Sequence, residues 1–404
     1  MRVSNRARWA LVIVAAAALV LAAAAAARTH STAAKKPIVI GWAHDSTGPM
    51  APFDGPALAA AQIEVAKINK KGVLGRKVVI KTCDTQGDKG PASTACASKL
   101  IGEGAKIIFT TCDVDLASPV VQVALAHHLL TVAPCIGTDQ MGPKRFGKAG
   151  KLAFSFGNVA QDEGSAMAQV AWNHGWKTAD LAKDTTIVYF KAVVTAFKAR
   201  FKQLGGKIKF ETTYQDPAIQ PGSVNYNTAA AQIALHPAKV IVTVTAGAYG
   251  ALAPFITDLR TTGDKAPILN SWAGDGTYWV PQNPKVSNYW FVTYANAFGH
   301  DPSKAVNRLA KQVKAATGGF VTGPSAIDGV VTAIKRANGS LVGSKLAAVM
   351  QKFSKVPTIS GSVSFSKKLH SVFGRQYRVI EINNNVPIAK GTITAKVVPN
   401  SPDS

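Results

Sequence analysis

The 404-residue sequence lacks any apolar run of bilayer-spanning length except one at its N-terminus. That run, Trp9 to Ala27, carries no charge, follows three arginines and ends in small residues of the kind that signal peptidases cleave. We therefore predict a signal peptide over 1–27, a linker over 28–36 and an exported protein, extracellular or periplasmic. The alternative is an uncleaved segment that holds the protein at the outer face of the membrane. No cysteine ends the run, which excludes a lipoprotein-type acyl anchor.

Acidic residues are also scarce. The sequence has 22 Asp and Glu against 46 Lys and Arg, a formal net charge of +24. Residues 1–27 hold three arginines and no acid, so the rest of the chain keeps +21. The lysines are scattered and no run of five basic residues occurs, so we do not predict nucleic-acid binding. We expect a solvated basic surface with weak contact, at most, to anionic polymers of the cell envelope.

Only four cysteines occur: Cys83, Cys96, Cys112 and Cys135. Outside the cytoplasm an even number of cysteines predicts disulfides. A zinc site needs pairs of ligands two to four residues apart, and the gaps here are far longer. We therefore predict disulfides and no metal.

The common catalytic motifs are missing. The segment Gly142–Ala149 comes close to a phosphate-binding loop, but Ala149 cannot supply the hydroxyl that binds magnesium, and an apparent strand follows it instead of a helix. No nucleophile elbow, zinc-protease pair or dinucleotide fingerprint is present. Since no nucleophile, base and orienting group come together, we predict a binding protein without a cofactor and not an enzyme. An extracellular enzyme is the more distant alternative.

What the sequence does contain is a regular alternation of short β-branched runs with segments of helical period. Strands are predicted at 38–42, 78–81, 107–110, 130–133, 240–245, 268–271, 289–294, 363–365 and 377–382, the last two as a pair. Helices are predicted at 56–70, 91–101, 120–128, 161–174, 192–204, 251–261, 324–338 and 346–353. This spacing is typical of βαβ units, so we predict an α/β fold with two doubly wound lobes. A ligand is then expected in the cleft between them, beyond the carboxyl ends of the strands.

Several short motifs occur in a fixed order along this pattern. They are Ile38–Gly41 with Thr47-Gly48, Ala66–Asn69, Gly72 with Gly75–Lys77 and Asp84, Leu204–Lys207, Ile327–Val331 and Ile359–Phe365. In order and spacing the chain resembles the branched-chain amino acid-binding type of substrate-binding proteins of ABC transporters. The resemblance implies a type I periplasmic-binding fold with three crossovers between the lobes. It also implies that a small polar metabolite, an amino acid or a related compound, is captured and delivered to an ABC permease.

The resemblance also implies a division of the chain. The first lobe would hold 37–157 plus about 297–355, the second 158–296 plus about 356–395, and 396–404 would form a tail. We expect a monomer. A rival function on the same fold is an extracellular receptor module that senses its ligand and signals to a membrane partner.

In the first lobe the resemblance assigns ligand contacts to three loops. Gly41–Gly55 is predicted to be a long loop with Phe53 over the ligand; the alternative is that Phe53 packs on its own helix. Asp115 and Ser118 fall where relatives hold a ligand carboxylate with a hydroxyl group, and an aspartate there argues against a simple amino acid. The turn that donates backbone N–H groups would comprise Ile136, Gly137 and Thr138.

The second lobe allows two interpretations. Composition favours a strand at Thr185–Phe190, whereas the resemblance places it at Ala179–Lys183 and brings Tyr189 into the cleft. We prefer the second, because the helix predicted from 192 needs an entry loop. The remaining cleft contacts would come from three further loop residues, namely Tyr249, Trp272 and Asp275. Trp272 would stack on the ligand, and Asp275 would pair with a ligand ammonium or cap its own loop.

The expected sheet order also bears on the cysteines. In a doubly wound sheet of order 2-1-3-4, Cys112 and Cys135 lie just past adjacent strands, about 4.8 Å apart. A disulfide needs Cα atoms about 4.4–6.8 Å apart, so these two can meet. Cys83 lies on the far side of strand one, near Cys96 in the helix that follows its strand. We predict Cys83–Cys96 and Cys112–Cys135; Cys83–Cys112 stays the alternative, since relatives sometimes join those loops.

Overall fold

The structure, a computed structural model, describes residues 35–223 and 225–399. The chain divides at Pro37, and the features below belong to the unit that begins at Ile38. The predicted signal peptide, most of the predicted linker and the end of the predicted tail lie outside the described residues. None of the described helices combines the length and the apolarity needed to span a bilayer.

The described residues form helices and strands that alternate along the chain. The helices are α1 Ala51–Ile68, α2 Gly90–Gly102, α3 Val114–Ala126, α4 Pro143–Phe146, α5 Ala160–Asn173, α6 Val188–Gln203, α7 Tyr226–Ala234, α8 Leu252–Thr261, α9 Lys304–Val313, α10 Thr322–Arg336 and α11 Gly343–Met350. The strands are β1 Ile38–His44, β2 Val78–Asp84, β3 Ile107–Phe109, β4 Leu130–Ala133, β5 Ala153–Ser155, β6 Thr178–Asp184, β7 Lys207–Tyr214, β8 Val240–Thr243, β9 Ile268–Asn270, β10 Tyr289–Thr293, β11 Val356–Thr358, β12 Gly361–Val363, β13 Tyr377–Asn383 and β14 Val386–Ile393.

The first lobe is built on a parallel five-stranded sheet of order β2-β1-β3-β4-β5. The predicted strand order 2-1-3-4 is therefore confirmed. Every residue of β3 and β4 is buried, as expected where helices cover both faces of a parallel sheet. Helices α1 and α10 contact each other on one face, and α2 and α3 on the other.

The second lobe is built on a seven-stranded sheet of order β14-β13-β10-β9-β8-β6-β7. Its strands from β7 to β10 are parallel, and β13 and β14 complete it as antiparallel neighbours. The predicted pairing of 363–365 with 377–382 is wrong. Strand β12 forms a hairpin with β11, whereas β13 inserts between β10 and β14, because β13 has a longer apolar face to bury there.

The chain passes between the two lobes three times, after β5, after β10 and after β12, in agreement with the expected three crossovers. The segment after β10 returns to the first lobe, where α9 and α10 contact α1. The hairpin 356–363, which the predicted division assigned to the second lobe, contacts α10 of the first.

The predicted loop Gly41–Gly55 is much shorter in the structure. Strand β1 continues through His44 and helix α1 begins at Ala51, so only 45–50 connect them. The prolines of this stretch had suggested a loop. Pro52 lies in the first turn of α1, where a helix needs no backbone N–H donor and tolerates proline.

Two other helices at the cleft begin earlier than predicted. Helix α3 starts at Val114, because the carboxylate of Asp113 caps it by accepting hydrogen bonds from its first turn. Pro119 stands inside this helix near its start. Helix α6 starts at Val188, directly after a short loop from β6. The position of β6 confirms the interpretation by resemblance over the one by composition.

Candidate ligand-binding cleft

A cavity of about 20 Å³ lies between the two lobes, which is room for about one water molecule. Its lining residues all follow the carboxyl ends of strands or lie in the first turn of the next helix. They are Met50, Phe53, Cys112, Asp113, Ile187, Tyr189, Phe190, Ala246, Tyr249, Trp272 and Ala273. Larger depressions exist elsewhere, one of about 680 Å³ beside His128, but that one is formed by the first lobe alone. The interlobe cavity is therefore the candidate site, at the edge where parallel sheets bind ligands.

Five aromatic rings form a continuous chain around this cavity. Phe53 of the first lobe meets Trp272 of the second edge-on, with ring centroids 5.1 Å apart. Tyr189 lies 6.3 Å from Trp272 and 5.8 Å from Phe190, and Phe190 lies 5.7 Å from Tyr249. All five rings are almost completely buried. Five of the eleven lining residues are thus aromatic, and the two sides of the wall come from different lobes.

A buried carboxylate, Asp54, holds the first-lobe side of the wall in place. One of its oxygens accepts a hydrogen bond from the backbone N–H of Asp45 (2.9 Å), and the other from that of Cys112 (3.0 Å). Burial raises the pKa of Asp54 well above its usual range, and the carboxylate of Asp88 adds to the effect. Asp54 therefore ties the loop after β1 to the loop after β3, next to Phe53 on the same helix.

Glu163 of α5 does the same for the second-lobe side. Its carboxyl accepts hydrogen bonds from the hydroxyl of Tyr189 (2.9 Å) and from the backbone N–H of Trp272 (2.7 Å). Burial raises the pKa of Glu163 from 4.5 to about 8, against the opposing effect of these two donors. One buried group thus positions two of the five rings.

Besides the contact of Phe53 with Trp272, three contacts join the lobes around the cavity. The hydroxyl of Tyr249 lies 3.2 Å from Sδ of Met50. At the rim, Asp115 accepts a hydrogen bond from the backbone N–H of Val188 at 2.8 Å. Gly137 lies against Tyr189 so closely that a Cβ there would be 2.6 Å from the ring. With these contacts made, the cleft is closed.

Four of the predicted site residues line the cavity: Phe53, Tyr189, Tyr249 and Trp272. Asp115 lies outside the wall, where its second oxygen pairs with Arg145 at 2.7 Å. Gly137 lies behind the wall, against Tyr189.

The other predicted residues lie away from the cavity. Ser118 donates its hydroxyl to the carbonyl of Val114 within α3. The carbonyls of Ile136 and Thr138 accept hydrogen bonds from buried serines, Ser155 and Ser371. These contacts hold the turn after β4 to the body of the protein.

Asp275 is buried at the junction of the lobes and does not line the cavity. It accepts hydrogen bonds from the hydroxyl of Thr293 and from the backbone N–H of Gly318. Burial raises its pKa to about 7. These contacts hold the crossover segment at Gly318 in place, and Asp275 does not face the cavity.

The disulfides are Cys83–Cys96 and Cys112–Cys135, as predicted, with Cα–Cα distances of 5.6 and 4.8 Å. The second of them supports the wall directly, because Cys112 lines the cavity.

Other residues of the site were not predicted, both in the wall and behind it. Asp113 resembles an ordinary N-cap and Glu163 an ordinary acid in the first turn of a helix. The helix was predicted to start only at 120, so Asp113 was not recognised as the residue that caps it. Met50, Ile187 and Phe190 flank predicted site residues by one to three positions.

The chain was compared with known proteins. A family model described as "Periplasmic binding protein" matches residues 37–390. The Leu/Ile/Val-binding protein BraC3 of Rhizobium johnstonii is 25% identical over 340 residues, which are 82% of this chain and 88% of that protein.

Two solved structures have the same fold. One is the branched-chain amino acid transporter substrate-binding protein LivJ of Streptococcus pneumoniae in complex with isoleucine, with a TM-score of 0.74 and 17% identity over 90% of this chain and 100% of that one. The other is a solute-binding protein of an R. palustris ABC transporter in complex with 4-hydroxybenzoate, with a TM-score of 0.75 and 17% identity over 90% and 98%. With the family model covering most of its length, this chain belongs to the periplasmic binding protein family.

Proposed function

We propose that this protein captures a small solute in the cleft between its lobes, outside the cytoplasm, and delivers it to an ABC permease. The observation that carries the proposal is the buried aromatic cavity, which has one side from each lobe and lies at the carboxyl ends of both sheets. Family membership supports the same function. We assign no catalytic reaction to the site and propose that the protein binds a ligand and is not an enzyme.

Binding is coupled to closure of the lobes. The contacts Met50–Tyr249, Phe53–Trp272 and Asp115–Val188 exist only while the lobes are together. A cavity of about 20 Å³ does not admit a metabolite, so the lobes separate to let a ligand enter. A ligand that touches both sides then favours a closed form and shifts the population toward it.

The ligand is proposed to be a small polar metabolite, an amino acid or a related compound. One relative is named for leucine, isoleucine and valine, and two solved structures hold isoleucine and 4-hydroxybenzoate. The aromatic wall described above suits a ligand with an apolar or planar part.

The proposed location follows from the N-terminal sequence. Arginines followed by an apolar run that ends near Ala27 are typical of a secretory signal, and the charge of +21 beyond residue 27 favours weak contact with anionic envelope polymers. We propose that the protein is a monomer. The apolar run is either cleaved off or holds the protein at the membrane.

The proposal is tested by thermal unfolding of the purified exported protein with a panel of amino acids, amides, amines and small acids. A ligand that binds only the folded protein raises the melting temperature as its concentration rises. Mass spectrometry of molecules released by denaturation provides candidates. If no compound shifts the melting temperature at millimolar concentration and none is released, the solute-binding function is wrong.

A further inference from the structure

The cavity wall has an acidic side chain but no basic one. Of its eleven residues, all within the described part of the chain, Asp113 is the only acid and none is Lys, Arg or His. Arg145, which lies beside Asp115 at the rim, already pairs with that carboxylate. Asp113 is 4% exposed, and burial, followed by the carboxylate of Asp115, raises its pKa to about 7. The wall therefore carries an acid without a basic partner.

The two hydroxyl donors of the wall are already in use. Tyr189 donates its hydroxyl to Glu163, and Tyr249 donates its hydroxyl to Met50. The indole N–H of Trp272 has no partner among the described residues, and an added Cβ at Gly319 would lie 3.1 Å from its nitrogen. A ligand carboxylate would find no cation and no unused hydroxyl donor on these walls.

The N-terminus of α3 is also occupied. Asp113 Oδ1 accepts hydrogen bonds from the backbone N–H groups of Asp115 (2.9 Å) and Leu116 (3.1 Å). These are the N–H groups with which a free helix N-terminus would hold an anion. Here an internal carboxylate takes that place, and it would repel a second one from a ligand.

The same walls suit a cation. The faces of aromatic rings carry negative electrostatic potential and attract ammonium groups, most strongly where water is excluded. Five rings surround the cavity, and the side chain of Asp113 supplies a full or partial negative charge at its edge. A buried acid is stabilised in its ionised form when a cation comes into contact with it.

We propose that the cleft selects a small organic ammonium ion without a carboxylate group, held between the five rings and Asp113. This inference rests on the proposed solute-binding function and narrows its ligand class: the ligand is an amine or quaternary ammonium compound instead of an amino acid or an aromatic acid.

Matched ligands test the proposal. Isoamylamine, leucine and isocaproate share one branched chain and differ in the charged group; phenethylamine, phenylalanine and hydrocinnamate repeat the comparison with a ring, and choline adds a quaternary ammonium. Calorimetry with the full exported chain measures each affinity. We expect the amine to bind at least about tenfold more tightly than the zwitterion and the acid of its set.

A variant assigns the preference to Asp113. Asp113→Asn keeps the size of the side chain and the helix cap, and should lower amine affinity about tenfold or more with little change for the zwitterion. Asp216→Asn is the matched control, because Asp216 is also fully buried, also accepts two backbone N–H groups and also has a pKa raised to about 7 by burial, but lies outside the wall.

The outcomes separate the two proposals. If a zwitterion or acid binds as well as the matching amine, or if both variants behave alike, the ligand class is wrong while solute binding stands. The ligand class is also wrong if a released non-cationic metabolite binds again and no amine does. If nothing is released and nothing binds, solute binding itself is wrong, and the ligand class falls with it.

Discussion

Asp115 of the first lobe accepts a hydrogen bond from the backbone N–H of Val188, the first residue of α6 in the second lobe, at 2.8 Å. The carboxylate therefore lies at the positive end of a helix that belongs to the opposite lobe. Its other oxygen is fixed by Arg145 of the first lobe at 2.7 Å. This contact is broken whenever the lobes separate, so it stabilises the closed form selectively.

Removal of this contact should favour the open form. We expect Asp115→Ala to lower ligand affinity about twofold to fivefold, because a charge at a helix N-terminus contributes up to about 1 kcal/mol at exposed sites. The melting temperature without ligand should change little, since the side chain is partly exposed. Calorimetry measures the affinity and small-angle X-ray scattering the degree of closure.

Glu103→Ala serves as the control. Glu103 forms an exposed ion pair with Lys81 within the first lobe and touches no residue of the second. If both variants lose affinity equally, the interlobe contact of Asp115 has no specific effect.

Gly137 provides a second test of closure. A Cβ at this position would lie 2.6 Å from Cε2 of Tyr189 across the cleft, so Gly137→Ala should prevent the ring from taking its observed place. We expect ligand affinity to fall at least about tenfold, while the first lobe keeps its stability. Calorimetry and urea unfolding measure the two effects.

The matched substitution is Gly55→Ala in α1, where an added Cβ meets nothing within 4 Å. It should leave affinity unchanged, and the usual gain of alanine within a helix is not expected, because Pro56 follows and its ring crowds a Cβ on the preceding residue. If the two variants bind the ligand equally well, the close contact between Tyr189 and Gly137 is not required for binding.

The sequence predicted much of the fold because the fold depends on local patterns. The mainly apolar strands β3 and β4 and the alternation with helices predicted a parallel sheet, and the sheet order then predicted both disulfides. Aromatic residues after strand ends, such as Phe53 and Trp272, were predicted for the cleft, and they line the cavity.

The rest of the site depends on contacts between distant segments. Glu163 lies in the first turn of α5 and looks like a dipole-compatible surface acid, yet it is buried against Tyr189 and Trp272. Asp275 follows β9 at a cleft loop, but the returning crossover at Gly318 covers it. The neighbouring sequence does not show that Glu163 is a buried acid and not a surface acid. It also does not show that Asp275 makes structural contacts and not ligand contacts.

Asp275 should therefore affect stability more than binding. Asp275→Ala leaves the buried N–H of Gly318 and the hydroxyl of Thr293 without their acceptor, which costs about 1–3 kcal/mol for a buried unpaired donor. Asp275→Asn keeps an acceptor oxygen in place and should cost less. Urea unfolding measures both variants. If Asp275→Ala instead lowers ligand affinity without a loss of stability, Asp275 contacts the ligand.

The buried carboxyl of Glu163 should make stability depend on pH. Its pKa rises on folding from 4.5 to about 8, so between these values the folded protein holds a proton that the unfolded chain has released. The free energy of unfolding therefore falls as the pH rises through this window, by at most about 1.4 kcal/mol per pH unit from this group. Other buried acids add slopes of the same sign, for example Asp275 with a pKa of about 7.

Glu163→Gln isolates this contribution, because glutamine has the shape of the protonated acid and still meets Tyr189 and Trp272. We expect the variant to match the natural protein near pH 5 and to exceed its stability increasingly toward pH 8, measured by urea unfolding at several pH values. Glu211→Gln is the control. Desolvation raises the pKa of Glu211 less than Lys183 and Lys198 lower it, so Glu211 is ionised in both states throughout this range and its replacement should leave the slope unchanged. Parallel curves for the natural protein and Glu163→Gln would mean that Glu163 is ionised in the folded protein, with its charge balanced by the donors of Tyr189 and Trp272.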